Sequence, residues 1–118
     1  MVVAKVLIAG EIPQSGLDML LKDHEVEVFA GEKLISEAEL TERIKDKDAL
    51  LSLLSTPVTK EVIEQAPNLK IIANYGAGYN NIDFEYAASK KIPTTNTPIA
   101  STAATADLTI ALLLASAR

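Results

Sequence analysis

The stretch LKIIANYGAGYNNID, residues 69–83, decides the fold of this chain. Its first half is an apolar run with the length of a buried strand, and two glycines, Gly76 and Gly78, follow where the run ends. A glycine turn after a strand lets an anion approach the backbone amides closely, because no Cβ intervenes. The pattern alone leaves three interpretations open: a phosphate site, a site for another anion, or a tight turn without a ligand.

The glycine turn lacks the rest of a dinucleotide-binding motif. That motif needs a third glycine three residues after the second, at the start of a helix, and Asn81 stands there instead. The acidic residue that would bind a ribose about 20 residues further on is also missing, since Asn96 and Thr97 stand near that position. The sequence therefore disfavours a pyrophosphate site in this loop.

Outward from this stretch, short apolar runs alternate with amphipathic segments. Five runs are predicted as strands: residues 2–10, 25–30, 49–54, 69–76 and 92–96. Helices are predicted at residues 15–23, after the capping box of Ser36 and Glu39, after the caps Thr59 and Asp83, and from Ser101 or Thr102 to the end. This alternation predicts an α/β fold with a parallel sheet and right-handed crossovers.

The predicted last helix is apolar on nearly every side. Between residues 101 and 117 its single charged residue is Asp107. Such a helix is expected to be buried all round, yet the sequence stops where something should cover it. We expect the helix to contact a missing part of the protein or a second copy of the chain, which would give a homo-oligomer. Packing on one face of the sheet is the alternative.

Composition restricts the classes of function. The chain has 118 residues, with 11 Lys and Arg against 16 Asp and Glu, and no basic cluster longer than Lys90-Lys91, so we expect no nucleic-acid partner. The absence of cysteine excludes thiolate catalysis and favours a reducing compartment, with the cytoplasm as the default. The sequence shows no metal-ligand spacing, signal peptide or apolar run long enough for a bilayer, so neither a metal site nor a membrane segment is expected.

Few side chains outside the glycine turn are candidates for chemistry. His24 is the single histidine, and its place between Asp23 and Glu25 indicates a solvated surface residue. Ser55 and Thr56 follow the third predicted strand, and ligands of open parallel sheets bind outside the carboxyl ends of strands. These two hydroxyls could donate hydrogen bonds to a ligand or could only shape a turn, and both alternatives stay open.

Three segments taken together, IIANYGAGYNNID, AASKKIPTTNTP and TAATADLTIALLLASAR, resemble the N-terminal part of the NAD(P)-dependent D-isomer-specific 2-hydroxyacid dehydrogenases. The motifs stand in the family's order and spacing over residues 69–118. The resemblance implies a flavodoxin-like, doubly wound five-stranded sheet as substrate-binding domain, residues 1–98. It also implies that residues 99–118 form a crossing helix that leads to an absent NAD(P)-binding domain, with NAD or NADP as cofactor and a small 2-oxo or 2-hydroxy acid as substrate.

The resemblance assigns the glycine turn a different anion. The backbone amides of Ala77 and Gly78, in the turn that begins at Gly76, would hold the carboxylate of the acid. Tyr75 and Tyr79 would flank the substrate on either side of the turn.

Further roles follow from the same resemblance. Ser55 and Thr56 would face the side chain of the substrate, and Thr102 would contact the cofactor near its nicotinamide end. No residue of this chain is assigned to catalysis, because the family's arginine, glutamate and histidine would lie beyond Arg118. We therefore expect the 118 residues alone to be inactive.

Two positions depart from the family pattern. Lys91 stands where the family commonly has glycine before the short strand, so a left-handed helix stop would fall on a non-glycine residue at some strain. Ala103 stands where the family commonly has an acidic residue in the crossing helix, which removes a cap or hinge contact.

A free-standing small-anion-binding or regulatory module with the same fold is the alternative function. A receiver domain shares the topology but needs an acidic pocket after the first and third strands and a lysine after the fifth. Glu11 is in place, whereas Ser55 and Thr97 occupy the other two positions, so we reject this third possibility.

Overall fold

The computed structural model describes residues 3–117, so Val2 of the first predicted strand and Arg118 lie outside the described residues. The strands are β1 (Lys5–Ile8), β2 (Glu25–Val28), β3 (Ala49–Leu53), β4 (Ile71–Tyr75) and β5 (Thr94–Thr95). The helices are α1 (Gln14–Leu21), α2 (Glu37–Ile44), α3 (Lys60–Glu64), α4 (Phe84–Ser89) and α5 (Thr102–Ser116). All pairings are parallel in the order β2-β1-β3-β4-β5, which confirms the predicted doubly wound, flavodoxin-like fold.

Three helices begin at the side-chain caps that the sequence predicts. Ser36, Thr59 and Asp83 precede α2, α3 and α4, and each side chain accepts a hydrogen bond from the amide three residues on, at 3.2, 3.3 and 3.0 Å. Each cap satisfies an amide that has no acceptor inside the helix. The caps therefore fix where the connections end and the helices start.

The hydrophobic core lies between one face of the sheet and α2, α3 and α4. Strand register aligns Leu7, Leu50 and Ile72, and each is at most 1% exposed. Burying a side chain of this size contributes about 1.5–3 kcal/mol. The same alternation turns Ser52 and Asn74 inward at the carboxyl ends of β3 and β4, where they are 0% and 2% exposed. These two polar side chains mark the edge of the sheet at which the candidate site begins.

The opposite face of the sheet is less covered. Right-handed crossovers put α1 on this face, away from the other connecting helices. Leu51 and Leu53 of β3 are half-buried there, and Ile71 and Tyr75 of β4 are exposed. Tyr75 thus ends β4 at the surface, beside the glycine turn.

Helix α4 ends in a left-handed residue, as the sequence predicts. Lys91 has a φ of 61°. Its amide donates to Ala88 O and the amide of Ile92 donates to Ala87 O, both at 2.9 Å. This pair of bonds is the Schellman motif, which usually places glycine at the position that Lys91 occupies. A side chain at this φ is strained, since Cβ crowds the backbone.

Helix α5 does not pack on the sheet. None of its residues is buried, and side chains such as Ile110 and Leu113 are 55% and 64% exposed. The expectation that this helix is buried all round is therefore not met within residues 3–117, and the alternative of packing on one sheet face is wrong. Monomeric soluble proteins rarely leave an apolar surface of this extent exposed. In the part of the chain that the structure describes, no helix combines the length and hydrophobicity that a membrane span requires.

Candidate functional site

Two loops meet at the carboxyl ends of β3 and β4. They are residues 54–58 after β3, and residues 76–83 after β4. Backbone hydrogen bonds join them, since Val58 N donates to Asn81 O at 3.0 Å and Asp83 N donates to Val58 O at 2.9 Å. This edge of the sheet is where ligands of doubly wound folds bind.

Paired carboxamides of Asn74 and Asn81 hold the two loops together from inside. Asn74 Nδ2 donates to Gly78 O at 2.8 Å and to Asn81 Oδ1 at 3.1 Å. Asn81 Nδ2 donates to Leu53 O at 2.9 Å and to Thr56 O at 3.0 Å. The residue that replaces the third glycine of a dinucleotide motif is therefore a structural part of this loop. Sequence reasoning did not identify Asn74 or this partnership.

In the glycine turn all three carbonyl groups accept hydrogen bonds from the fold, and the Gly76 amide donates to Asn74 O at 3.0 Å. Gly76 O accepts from Thr97 N at 2.9 Å, Ala77 O from Asn96 Nδ2 at 2.7 Å, and Gly78 O from Asn74 Nδ2 at 2.8 Å. By contrast, the amides of Ala77 and Gly78 have no acceptor within residues 3–117, and both residues are exposed. Two adjacent amides without a partner are donors that an anion can accept from.

The two glycines differ in how a side chain would fit. A Cβ at Gly76 would lie 2.6 Å from Leu54 Cγ, so Leu54 would have to move. A Cβ at Gly78 would meet nothing closer than Asn80 Oδ1 at 3.5 Å, an ordinary contact. A methyl group at Gly78 would therefore fit without displacing a neighbour. Leu54, 54% exposed and lying against the turn, was missed because an apolar residue at a strand end carries no signal of its own.

The hydroxyls of Ser55 and Thr56 have different environments. Thr56 is 1% exposed, and its Oγ1 accepts a hydrogen bond from Leu53 N at 2.9 Å, which favours the role in the turn. Ser55 is exposed beside it, as is Tyr75 at the end of β4. The structure thus brings Ser55 and Tyr75 to the surface at the same edge as the glycine turn.

Tyr79 turns toward α4. Its ring packs edge to face on Phe84, with ring centroids 5.3 Å apart. The two rings line a cavity of about 300 Å³ together with Thr94, Thr95 and Asn96. Thr94 Oγ1 is buried and has no hydrogen-bond partner among the described residues.

His24 lies at the opposite edge of the sheet, immediately before β2. Its Nδ1 accepts a hydrogen bond from Ala4 N at 3.1 Å and the residue is half-buried, so this surface residue is only partly solvated. Because the strands are parallel, their amino ends lie a strand length away from the glycine turn. His24 therefore has no access to a ligand there.

A charged cluster occupies the same amino-terminal edge. Lys47 is 7% exposed, lies 2.7 Å from Asp46 and 3.7 Å from Glu27, and Glu27 also pairs with Arg43 at 3.1 Å. The hydrogen bond from Lys47 lowers the pKa of the Asp46 carboxyl below its ordinary value. Cavities of about 240 and 620 Å³ open here, but these lining charges pair with one another. The cluster stabilises this edge of the fold.

A nicotinamide dinucleotide does not fit the glycine turn. Asn81 fills the position of the third glycine with a side chain folded into the loop, and the next helix starts at Phe84. Thr102, at the start of α5, is exposed and free to contact a group held elsewhere. No group of three or more metal-ligating side chains occurs within residues 3–117.

Comparison with known proteins identifies the family. Residues 6–116 match the family model described as D-isomer specific 2-hydroxyacid dehydrogenase, catalytic domain. A relative from Staphylococcus haemolyticus, whose name assigns it provisionally to the 2-hydroxyacid dehydrogenases, is 59% identical over 114 residues. The match covers 97% of this chain and 36% of the relative, so the chain spans about a third of the length of the curated relatives it matches.

Solved structures share the fold. A protein from Thermus thermophilus is 40% identical with a TM-score of 0.90, over 97% of this chain and 37% of that one. The NADPH-dependent glyoxylate/hydroxypyruvate reductase of Sinorhizobium meliloti, solved with NADP and malonate, is 29% identical with a TM-score of 0.75, over 94% of this chain and 33% of that one. By its sequence, its strand order and these relatives, the chain belongs to the D-isomer-specific 2-hydroxyacid dehydrogenase family.

Proposed function

We propose that this chain is the substrate-binding part of an oxidoreductase that transfers hydride between NAD(P)H and a small 2-oxo or 2-hydroxy acid. The observation that carries the proposal is the pair of exposed amides at Ala77 and Gly78, on a turn whose carbonyl groups are all tied to the fold. A carboxylate can accept one hydrogen bond from each amide, and charge-assisted bonds of this kind are about twice as strong as neutral ones.

The surroundings of the turn suit a small organic acid. Ala77 and Gly78 are exposed, and Leu54 offers an apolar wall beside the turn. Ser55 and Tyr75 add exposed hydroxyl groups at the same edge. We assign substrate contacts to Ser55, Tyr75, Gly76, Ala77 and Gly78. Thr56, which is 1% exposed, shapes the turn without touching the acid.

The nicotinamide supplies or accepts the hydride when it is bound, and this chain orients the acid. Residues 3–117 provide no pyrophosphate-binding turn, so we place the nucleotide site in a domain outside this sequence. Thr102 is the residue of this chain that we assign to the nicotinamide end of that site. No catalytic residue is assigned within the chain.

Helix α5 would join the two domains. Residues 1–98 would form the substrate-binding domain and residues 99–118 the crossing segment. In support, no residue from Thr97 to Ala117 is buried, while the helix carries leucines that are at least 60% exposed. A nucleotide-binding domain would cover them. A second copy of the chain is the other candidate, and light scattering that detects dimers of the isolated chain would favour it.

The carboxylate site is tested by NMR titration of the ¹⁵N-labelled chain with oxalate. We expect the largest amide shifts at Ala77 and Gly78, and none with oxamide, which has the same skeleton without the charges. Shifts confined to other residues would refute the site. An anion-binding module would give the same shifts, so turnover of a 2-oxo acid by a longer protein that contains this segment separates the two functions.

A further inference from the structure

We propose that the Asn74–Asn81 pair, meaning the two hydrogen-bonded carboxamides, positions the anion-binding amides and couples them to the loop that carries Ser55. The inference rests on the proposed function, because it concerns the same anion site. It assigns positioning roles to two residues that would not touch the ligand.

The first step is the direction of the Gly78 carbonyl. Glycine has no side chain that restricts its backbone torsions, so the orientation of its peptide groups must be fixed from outside. Asn74 Nδ2 does this with a bond of 2.8 Å to Gly78 O. Because Asn74 is 2% exposed, bulk water has little access to replace the donor. Gly78 O shares its peptide group with the amide of Tyr79, so this bond anchors the end of the turn that adjoins the Gly78 amide.

The second step is the connection to the neighbouring loop. Asn81 Nδ2 donates to Leu53 O and to Thr56 O, at the two ends of the turn that carries Ser55. The other N–H of Asn74 closes the connection through Asn81 Oδ1 at 3.1 Å. An anion that orders the glycine turn is therefore expected to order residues 54–56 as well.

Ser52 supplies the matched control. Its Oγ donates to Asn74 Oδ1 at 2.8 Å from the core side, and the residue is 0% exposed. Removing this hydroxyl weakens the same network without removing the bond to Gly78 O. A loss of stability can thereby be separated from a loss of positioning.

The experiment compares Asn74→Ala, Asn81→Ala and Ser52→Ala in the oxalate titration, with chemical denaturation in parallel. Both asparagine variants should raise the Kd at the Ala77 and Gly78 amides about tenfold, because the binding conformation is no longer preorganised. Ser52→Ala should lose stability but keep its Kd within about twofold. Equal Kd values in all folded variants, or an equal loss in Ser52→Ala, would overturn the inference.

Hydrogen exchange tests the coupling. In the unmodified chain, oxalate should raise the protection of residues 54–56, and in Asn81→Ala this rise should disappear. Persistence of the rise would overturn the coupling. If Asn74→Ala does not fold, Asn81→Ala gives both readouts. Failure of the unmodified chain to bind oxalate at Ala77 and Gly78 would instead refute the proposed function.

Discussion

Asn74 and Asn81 face each other across the start of the glycine turn, with Asn74 Nδ2 3.1 Å from Asn81 Oδ1 and Asn81 Nδ2 3.3 Å from Asn74 Oδ1. Asn81 Nδ2 also donates to Leu53 O and Thr56 O, so the pair connects two loops that α3 and β4 separate in sequence. The free amides of Ala77 and Gly78 lie on the second of these loops, and a rigid support is what an anion site needs.

The two glycines of the turn should respond differently to alanine. Gly76→Ala should destabilise the chain by about 1–3 kcal/mol, since the new Cβ displaces Leu54. Gly78→Ala meets ordinary contacts, so its stability should change by less than about 0.5 kcal/mol. Its affinity for oxalate should nevertheless fall on the order of tenfold, because the added methyl group crowds a carboxylate bound at the Gly78 amide. Denaturation measures the stability of both variants and NMR titration measures their affinity for oxalate. Unchanged affinity in Gly78→Ala would contradict the site.

The two hydroxyl groups after β3 should contribute differently to stability. Thr56→Val removes the acceptor of the Leu53 amide in a buried turn and should cost about 1–3 kcal/mol. Ser55→Ala should leave the free energy of unfolding within about 0.5 kcal/mol, because Ser55 is exposed. Urea denaturation measures both, and equal losses would show that the turn depends on both hydroxyls.

The left-handed residue after α4 offers a stabilising substitution. Lys91→Gly should raise the free energy of unfolding by about 1 kcal/mol, because glycine adopts the φ of 61° without the Cβ strain. Lys90→Gly is the control, since Lys90 has a φ of -94° and gains nothing from glycine. Thermal or urea denaturation of the two variants shows whether the free energy of unfolding rises or falls. A loss of stability in Lys91→Gly would contradict the strain argument.

The sequence predicted local features well, for a physical reason. Caps such as Thr59 and Asp83, and the left-handed position at Lys91, depend on neighbours within a few residues. The Asn74–Asn81 pair was not predictable in this way. Its partners include Leu53 O, 28 residues from Asn81, and they meet only once the sheet has formed.

The exposure of helix α5 was also not predictable from the sequence. Its apolar composition predicted burial, and composition alone does not say what would bury it. Within residues 3–117 no element does so. His24 was likewise predicted to be a surface residue, and its bond to Ala4 N depends on how β1 and β2 pair.

The charged cluster at the amino-terminal edge should contribute to the loss of stability at acid pH. The folded-state pKa of Asp46 is lowered by the hydrogen bond from Lys47. A lowered pKa gives stability that is present above the ordinary carboxyl pKa and is lost as pH falls through the folded value. Asp46→Asn should therefore lose stability at about pH 7 and show a flatter decline below about pH 4. Urea denaturation at both pH values checks this, with the exposed Asp23→Asn as control, and an unchanged decline would contradict it.

The isolated chain should bind a carboxylate without turning it over. Hydride transfer needs a nicotinamide beside the acid and a group that moves the proton, and His24, the one histidine, lies at the far edge of the sheet with Nδ1 bonded to Ala4 N. The purified 118 residues should therefore leave the absorbance of NADH unchanged with pyruvate or glyoxylate, while oxalate still shifts the amide of Gly78. A longer protein that contains this segment and a nucleotide-binding domain is the positive control. Measurable NADH oxidation by the isolated chain would mean that the proton donor and the cofactor site lie within these residues, and would contradict the proposed division of roles.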